Sequence, residues 1–222
     1  SSSSSSSSNT SEDCSCIVHK IFSGTMRSEL TCTKCSAIST QYEPFFDISL
    51  DIPRTSCEQR KEESSTTITL HQCIDLFTQP ELLETPVKCE KCKSSQKCHK
   101  QLSFSMLPLV LCFHFKRFEQ NVFNRRLSKK ITTHVEFYPY ISLRKYRSAS
   151  IGSTSTATPP PEQMYDLFAV VNHVGSIDNG HYICHILHNN HWFKCDDAWI
   201  TSCSLQDVLD SDAYVLFYIK RQ

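Results

Sequence analysis

Residues 166–195 read DLFAVVNHVGSIDNGHYICHILHNNHWFKC. Three runs in it, DLFAVVNH, HYICHILH and HWFKC, are rich in Val, Ile and aromatic residues, and polar or glycine-bearing segments separate them. The pattern predicts consecutive antiparallel strands, the second and third joined through the HNN turn. The first connection, VGSIDNG at 174–180, holds two of the four glycines in the chain. Gly180 permits a close backbone approach or a positive φ. His181 follows it at the start of a strand, which predicts an imidazole at a sheet edge beside the loop.

The antiparallel return brings Asp196, which follows HWFKC, back towards His181, with Asp197 next to it. A carboxylate there can accept the Nδ1 proton, fix the tautomer and leave Nε2 as a base. An ordinary hairpin whose aspartates serve the turn has the same spacing, so spacing alone leaves both readings open. Ten histidines dilute the value of any one, and His99, His114, His134, His185, His188 and His191 read as strand or surface residues.

Working outward, LVLCFHFKRF and AYVLFYIKR add two strands. TITLHQCIDLF predicts a helix capped by Thr69, with Leu70, Cys73, Ile74 and Phe77 on one face and Pro80 ending it. SLQDVLDSD predicts a second helix, with Ser204 as cap, Asp207 near its positive end, and Leu205, Val208 and Leu209 turned inward. The expected class is α+β, dominated by antiparallel sheet. The serine-rich residues 1–13 and the proline-bearing segment 148–163 read as linker and disordered insertion.

Composition narrows the function. Twenty-three basic residues balance twenty-three acidic ones, so the broad positive field of a nucleic-acid binder is missing. A zinc-dependent nucleic-acid binder would rest on the cysteines alone, and RRLSKK at 125–130 is short enough to be a solvated loop. The apolar run LPLVLCF at 107–113 suits a buried strand, so no membrane is expected as partner. Thirteen cysteines, an odd number, fit a reducing compartment better than a secreted disulfide framework. Among them, Cys32-Thr-Lys-Cys35 and Cys89-Glu-Lys-Cys92 share the CxxC spacing with which one turn offers two thiolates to one ion. Together they predict a closed structural Zn²⁺ site at the tips of two hairpins. Cys98 is a spare thiol close by and is expected to stay outside the ligand set.

Taken in order, LTCTKC, FFDISLDIP, KCEKC, LPLVLCFHFKRF, FAVVNHVGSIDNGHY, HWFKCDDAWIT and AYVLFYIKR resemble the ubiquitin-specific protease family over about residues 14–222. CSCIVHKIFSGTMRSELTC, KKITTHVEF and the ending VLDSDAYVLFY are most similar to its SAGA-complex histone deubiquitinase subfamily. The resemblance implies a papain-like fold, with fingers over about 17–105, palm over about 106–222, and a structural zinc. It implies thiol-dependent cleavage of the isopeptide bond at the C-terminus of ubiquitin, with His181 as general base, Asp196 as its orienting partner and Asp197 as an adjacent supporting residue. It assigns zinc to Cys32, Cys35, Cys89 and Cys92, and a loop that rearranges over the ubiquitin tail to residues 174–180. Ubiquitin and ubiquitinated proteins, SAGA-type adaptor subunits and the nucleosome follow as partners, in the nucleus with the cytoplasm as a second compartment.

One part of the family pattern has no counterpart here: the glycine- and asparagine-rich cysteine box of the thumb, which carries the nucleophile. The expectation is therefore a chain that supplies the base and the ubiquitin-binding surface without the nucleophile. The alternative is a catalytically inactive ubiquitin-binding or scaffold module. Cys14 and Cys16 precede His181 in the right order, but Glu12 and Asp13 disfavour a thiolate there, and the family match places both just before the first finger strand.

Overall fold

A computed structural model describes residues 16–53, 67–119, 129–148, 163–176 and 179–222. Cys14, residues 1–13 and most of 148–163 lie outside the described residues.

A short helix, α1 (Ile17–Phe22), leads into a hairpin of β1 (Gly24–Cys32) and β2 (Ile38–Phe45), followed by β3 (Ile48–Leu50). Then come β4 (Ile68–Thr69), helix α2 (Leu70–Thr78), β5 (Glu81–Leu82), a small hairpin of β6 (Val87–Cys89) and β7 (Ser94–Gln96), and the long β8 (Cys98–Met106). The next strands are β9 (Val110–Phe115), β10 (Phe118–Glu119), β11 (Lys129–Lys130), β12 (Val135–Glu136) and β13 (Tyr140–Ser142). The chain closes with β14 (Met164–Gly175), β15 (Gly180–His188), β16 (His191–Asp196), β17 (Trp199–Cys203), helix α3 (Leu205–Leu209) and β18 (Ala213–Lys220).

Two sheets dominate. The smaller runs β2-β1-β8-β5. The larger has eight strands in the order β17-β16-β15-β14-β18-β9-β3, with β13 pairing β14. Pairing in it is antiparallel except where β3 runs parallel to β9. The predicted strands are all present, and β15 and β16 join through Asn189 and Asn190, both at positive φ (48° and 61°) as a tight two-residue hairpin turn requires.

Helix α2 forms where expected: the Thr69 side chain accepts from the Gln72 N–H while Gln72 returns a bond to the Thr69 N–H. Leu70, Cys73 and Ile74 are buried, and Phe77 packs partly buried on the same core. Ser204 and Asp207 build the same reciprocal cap on α3. There the inward face is narrower than predicted, because Val208 is buried and Leu209 packs on the core while Leu205 is exposed.

Arg117 is a polar strut inside this core, only 2% exposed. Its Nε donates to the Ala213 carbonyl at 2.7 Å and its Nη1 to the carbonyls of Ile131 and Thr133 at 3.1 and 2.7 Å. Charge-assisted bonds to carbonyls offset part of the desolvation cost of the guanidinium, whose Nη2 has no partner among the described residues, and they tie the start of β18 to the segment after β11. Among the described residues, no helix is long and apolar enough to cross a membrane.

Candidate functional site

The hairpin β14–β15 is pinned at its turn end by register, glycine geometry and one lysine. Val174 pairs with His181 and Gly175 with Gly180. Gly175 takes φ +100°, where L side chains are strained. Gly180 is required for a different reason: a Cβ there would come 1.9 Å from the His173 Nε2. Lys130 donates through Nζ to the carbonyls of His173 and Gly175 at 2.7 and 2.9 Å. Nothing in RRLSKK distinguished Lys130 from its neighbours; its role depends on strand β11 arriving from a distant part of the chain.

His181 opens this hairpin's second strand. β15 as a whole lies between β14 and β16, and the edge strand on this side is β17. His181 sits at the end of β15, paired with Val174 on the β14 side and beyond the first β16 pair, Cys184 with Cys195, so on that flank its backbone has no strand partner. The return of β16 brings Asp196 to the ring as expected, His181 Nε2 to Asp196 Oδ1 at 2.6 Å. Asp197 lies in the same group, with one ligand atom from each of the three residues within 4.8 Å of the others. Asp197 is also a turn residue between β16 and β17, at φ 51°, so one aspartate meets the ring while the next one serves the turn.

The nitrogen assignment is reversed relative to the expectation. Nε2, not Nδ1, faces the aspartate, so Nε2–H donates to Asp196 and Nδ1 is the nitrogen left to act as base. The bond to Asp196 raises the His181 pKa above its ordinary 6.5, desolvation opposes it, and the charges of Asp196 and Asp197 add to the rise. Both side chains are nearly half exposed, 48% for His181 and 43% for Asp196, so solvent screens the pair until something covers it.

His173 pairs with Tyr182 and lies on the face of the hairpin opposite to His181. It is 9% exposed, with its ring edge-on to Phe118 at 5.2 Å and tilted against Tyr182 at 4.9 Å. Desolvation, then the Lys130 charge, push its pKa down. The hairpin thus carries one imidazole made less basic and one made more basic by its surroundings. Cys16 takes no part in the cluster of His181, Asp196 and Asp197. Its Sγ lies 2.9 Å from the His19 Nδ1 at the start of α1.

The four predicted zinc ligands meet at the tips of two hairpins. Cys32 and Cys35 end the β1–β2 hairpin, and Cys89 and Cys92 end β6–β7. The residue after each pair, Ser36 and Lys93, takes a positive φ of 55° and 52°, so the two turns fold alike. All four Sγ atoms lie within 4.8 Å of one another, with Cys35 to Cys89 at 3.6 Å and Cys32 to Cys92 at 3.9 Å. Zinc–sulfur bonds of about 2.3 Å in a tetrahedron put sulfurs about 3.8 Å apart. The donor set fits. Sulfur crowding has an electrostatic cost, and the Cys92 thiol is pushed up to about 12, first by its hydrogen bond with Cys35. Cys98 packs against the same cluster, buried at 4%, but is not one of the four.

Comparison with known proteins adds a family. The model of the ubiquitin carboxyl-terminal hydrolase family matches residues 1–218. Ubiquitin carboxyl-terminal hydrolase 22 of Mus musculus is 40% identical over 231 residues, covering 94% of this chain and 43% of the relative. Ubiquitin carboxyl-terminal hydrolase 27 of Homo sapiens is 40% identical over 230 residues, covering 94% of this chain and 52% of the relative. The chain thus spans about half the length of these relatives. Among solved structures, the SAGA Ubp8/Sgf11/Sus1/Sgf73 DUB module bound to ubiquitin aldehyde superposes with a TM-score of 0.80 at 32% identity, over 96% of this chain and 44% of that one. The same kind of module bound to monoubiquitin gives 0.77 at 33% identity, over 94% and 43%. The fold is the papain-like fold of these proteases.

Proposed function

This chain belongs to the ubiquitin carboxyl-terminal hydrolase family, and from that premise we propose that it forms the base-bearing, ubiquitin-binding part of a thiol-dependent deubiquitinase. The observation that carries the reading is the 2.6 Å bond between His181 Nε2 and Asp196 Oδ1 beside a hairpin turn fixed by Gly175, Gly180 and Lys130. An inert ubiquitin-binding module would have no use for an imidazole oriented and made more basic in this way.

In the proposed reaction Asp196 accepts a hydrogen bond from Nε2–H and holds the ring, and Asp197 adds negative charge beside it. Nδ1 takes the proton of a cysteine thiol, and the thiolate attacks the carbonyl carbon of the isopeptide bond. The proton then passes from Nδ1 to the lysine amine as the C–N bond breaks. Water, deprotonated in turn by His181, hydrolyses the thioester. The thiol belongs to the part of the family's length that this chain does not span. Zinc, held by Cys32, Cys35, Cys89 and Cys92, is structural: it joins the two hairpin tips of the fingers, within about 17–105, while about 106–222 form the palm. Residues 174–180 flank the ubiquitin tail.

The similarity to the SAGA modules supports a nuclear setting, ubiquitinated histone in the nucleosome as substrate, and adaptor subunits of the kind named in those structures, Sgf11, Sus1 and Sgf73. The test is the natural full-length protein incubated with ubiquitin bearing a thiol-reactive C-terminus. The reading expects a covalent adduct on a cysteine that slows at least a hundredfold in His181→Ala. An adduct that forms as fast in His181→Ala defeats it.

A further inference from the structure

Trp199 is the most exposed large apolar side chain among the described residues, at 78%. An indole left in water at the rim of a site has ring area to bury against a ligand. Trp199 opens β17, the outermost strand of the large sheet, and the register sets it directly opposite Asp196. Directly opposed residues share a face. The indole therefore stands on the same face as the carboxylate that holds His181. Ile200 beside it is 66% exposed, but it pairs with Cys195 and belongs to the other face.

The two flanks of His181 differ in kind. On the β14 side lies the glycine hairpin with His173 and Lys130, the flank given above to the ubiquitin tail. On the β16–β17 side lie Asp196, Asp197 and Trp199. An isopeptide has two arms, an acyl arm from ubiquitin and an amine arm from a lysine. With the acyl arm on the β14 flank, the amine arm leaves across β16 and β17.

Distances agree with this assignment. When His181 returns its proton, the lysine nitrogen lies about 3 Å from the ring. Its extended stem spans about 6 Å. Two strand spacings carry the sheet about 10 Å from β15 to β17. The stem and the backbone behind it thus fall over the start of β17. The chemistry agrees as well: an alkyl stem packs on an indole face, and the departing amine, protonated on release, meets Asp196 and Asp197 and the ring quadrupole.

We propose that Trp199 is a specificity residue for the leaving side of the reaction, receiving the stem and flanking backbone of the lysine to which ubiquitin is joined. This rests on the isopeptidase reading above. The test compares two substrates of the natural full-length protein: ubiquitin joined to the lysine of a short peptide, and ubiquitin ethyl ester, which has no lysyl stem. The readout is the ratio of kcat/KM for the peptide substrate to that for the ester. Trp199→Ala should lower the ratio about fivefold, mainly through KM, and Trp199→Phe should recover most of it. An unchanged ratio in Trp199→Ala, including equal losses on both substrates as from a structural role, overturns the proposal. If His181→Ala leaves both wild-type rates intact, the isopeptidase reading fails first and this proposal falls with it.

Discussion

His181 and His173 share a hairpin, and their surroundings push them in opposite directions. The sign of the His181 shift has two consequences. Because its folded-state pKa lies above 6.5, its pairing with Asp196 contributes to stability below that pH and the contribution is lost as pH rises through the folded value. Catalysis needs the neutral ring, so the rate should run the other way, rising with pH through the same window. Asp196→Asn should move the His181 midpoint down towards 6.5, as followed by the ring Cε1–H resonance in a pH titration. A midpoint that stays in place would mean that Asp196 does not set the basicity of the ring. Gly180→Ala should also be costly, because the new methyl group cannot coexist with the His173 ring where it stands. Over-packing of this kind costs about 1–3 kcal/mol, measurable as a lower denaturant midpoint. At this scale one hairpin's arithmetic brings His181, Asp196 and Asp197 together. Lys130 and His173 have no such local signal, because their roles depend on a strand pair and a ring contact distant in the chain, and the imidazole nitrogen that faces Asp196 is not legible because spacing carries no information about ring orientation.

At the scale of elements, local chemistry was legible wherever it completes itself within a few residues. The Thr69–Gln72 and Ser204–Asp207 caps are examples, each a reciprocal pair three residues apart. Thr69→Ala should cost about 1 kcal/mol and appear as a lower melting temperature without loss of the His181–Asp196 pair. Strand β17 carries little sequence signal: it is short and almost wholly exposed, so it lacks the alternation that marks a half-buried strand. The order of the large sheet was not legible either. Its central strand β14 takes β18 on one side and β15 on the other, while β3 is added in parallel at the far edge. Such pairings are selected by burial of one common core, and no local motif announces them.

Across the whole molecule, the four-cysteine cluster links a hairpin of the four-stranded sheet to β6–β7, which forms a two-stranded sheet of its own. A hairpin of that size is marginal without support, so the four cysteines are its main tie to the fold. Cys89→Ser should reduce bound zinc from one equivalent per chain to near none. In hydrogen exchange it should release the amides of β6 and β7 while those of β14, β15 and β18 keep their protection. Equal loss of protection in the large sheet would mean that the metal supports the fold globally and not the β6–β7 hairpin alone.

The central claim is that His181, oriented by Asp196, performs proton transfer on a ubiquitin conjugate and does not merely help to hold it. The most direct measurement is single-turnover cleavage of isopeptide-linked ubiquitin by the natural full-length protein, with ubiquitin affinity measured in parallel for wild type, His181→Ala and Asp196→Asn. The account predicts affinities within about twofold of wild type and a chemical step at least a hundredfold slower in His181→Ala, with Asp196→Asn in between. A chemical step in His181→Ala as fast as in wild type, or a rate loss fully explained by lost affinity, would contradict it.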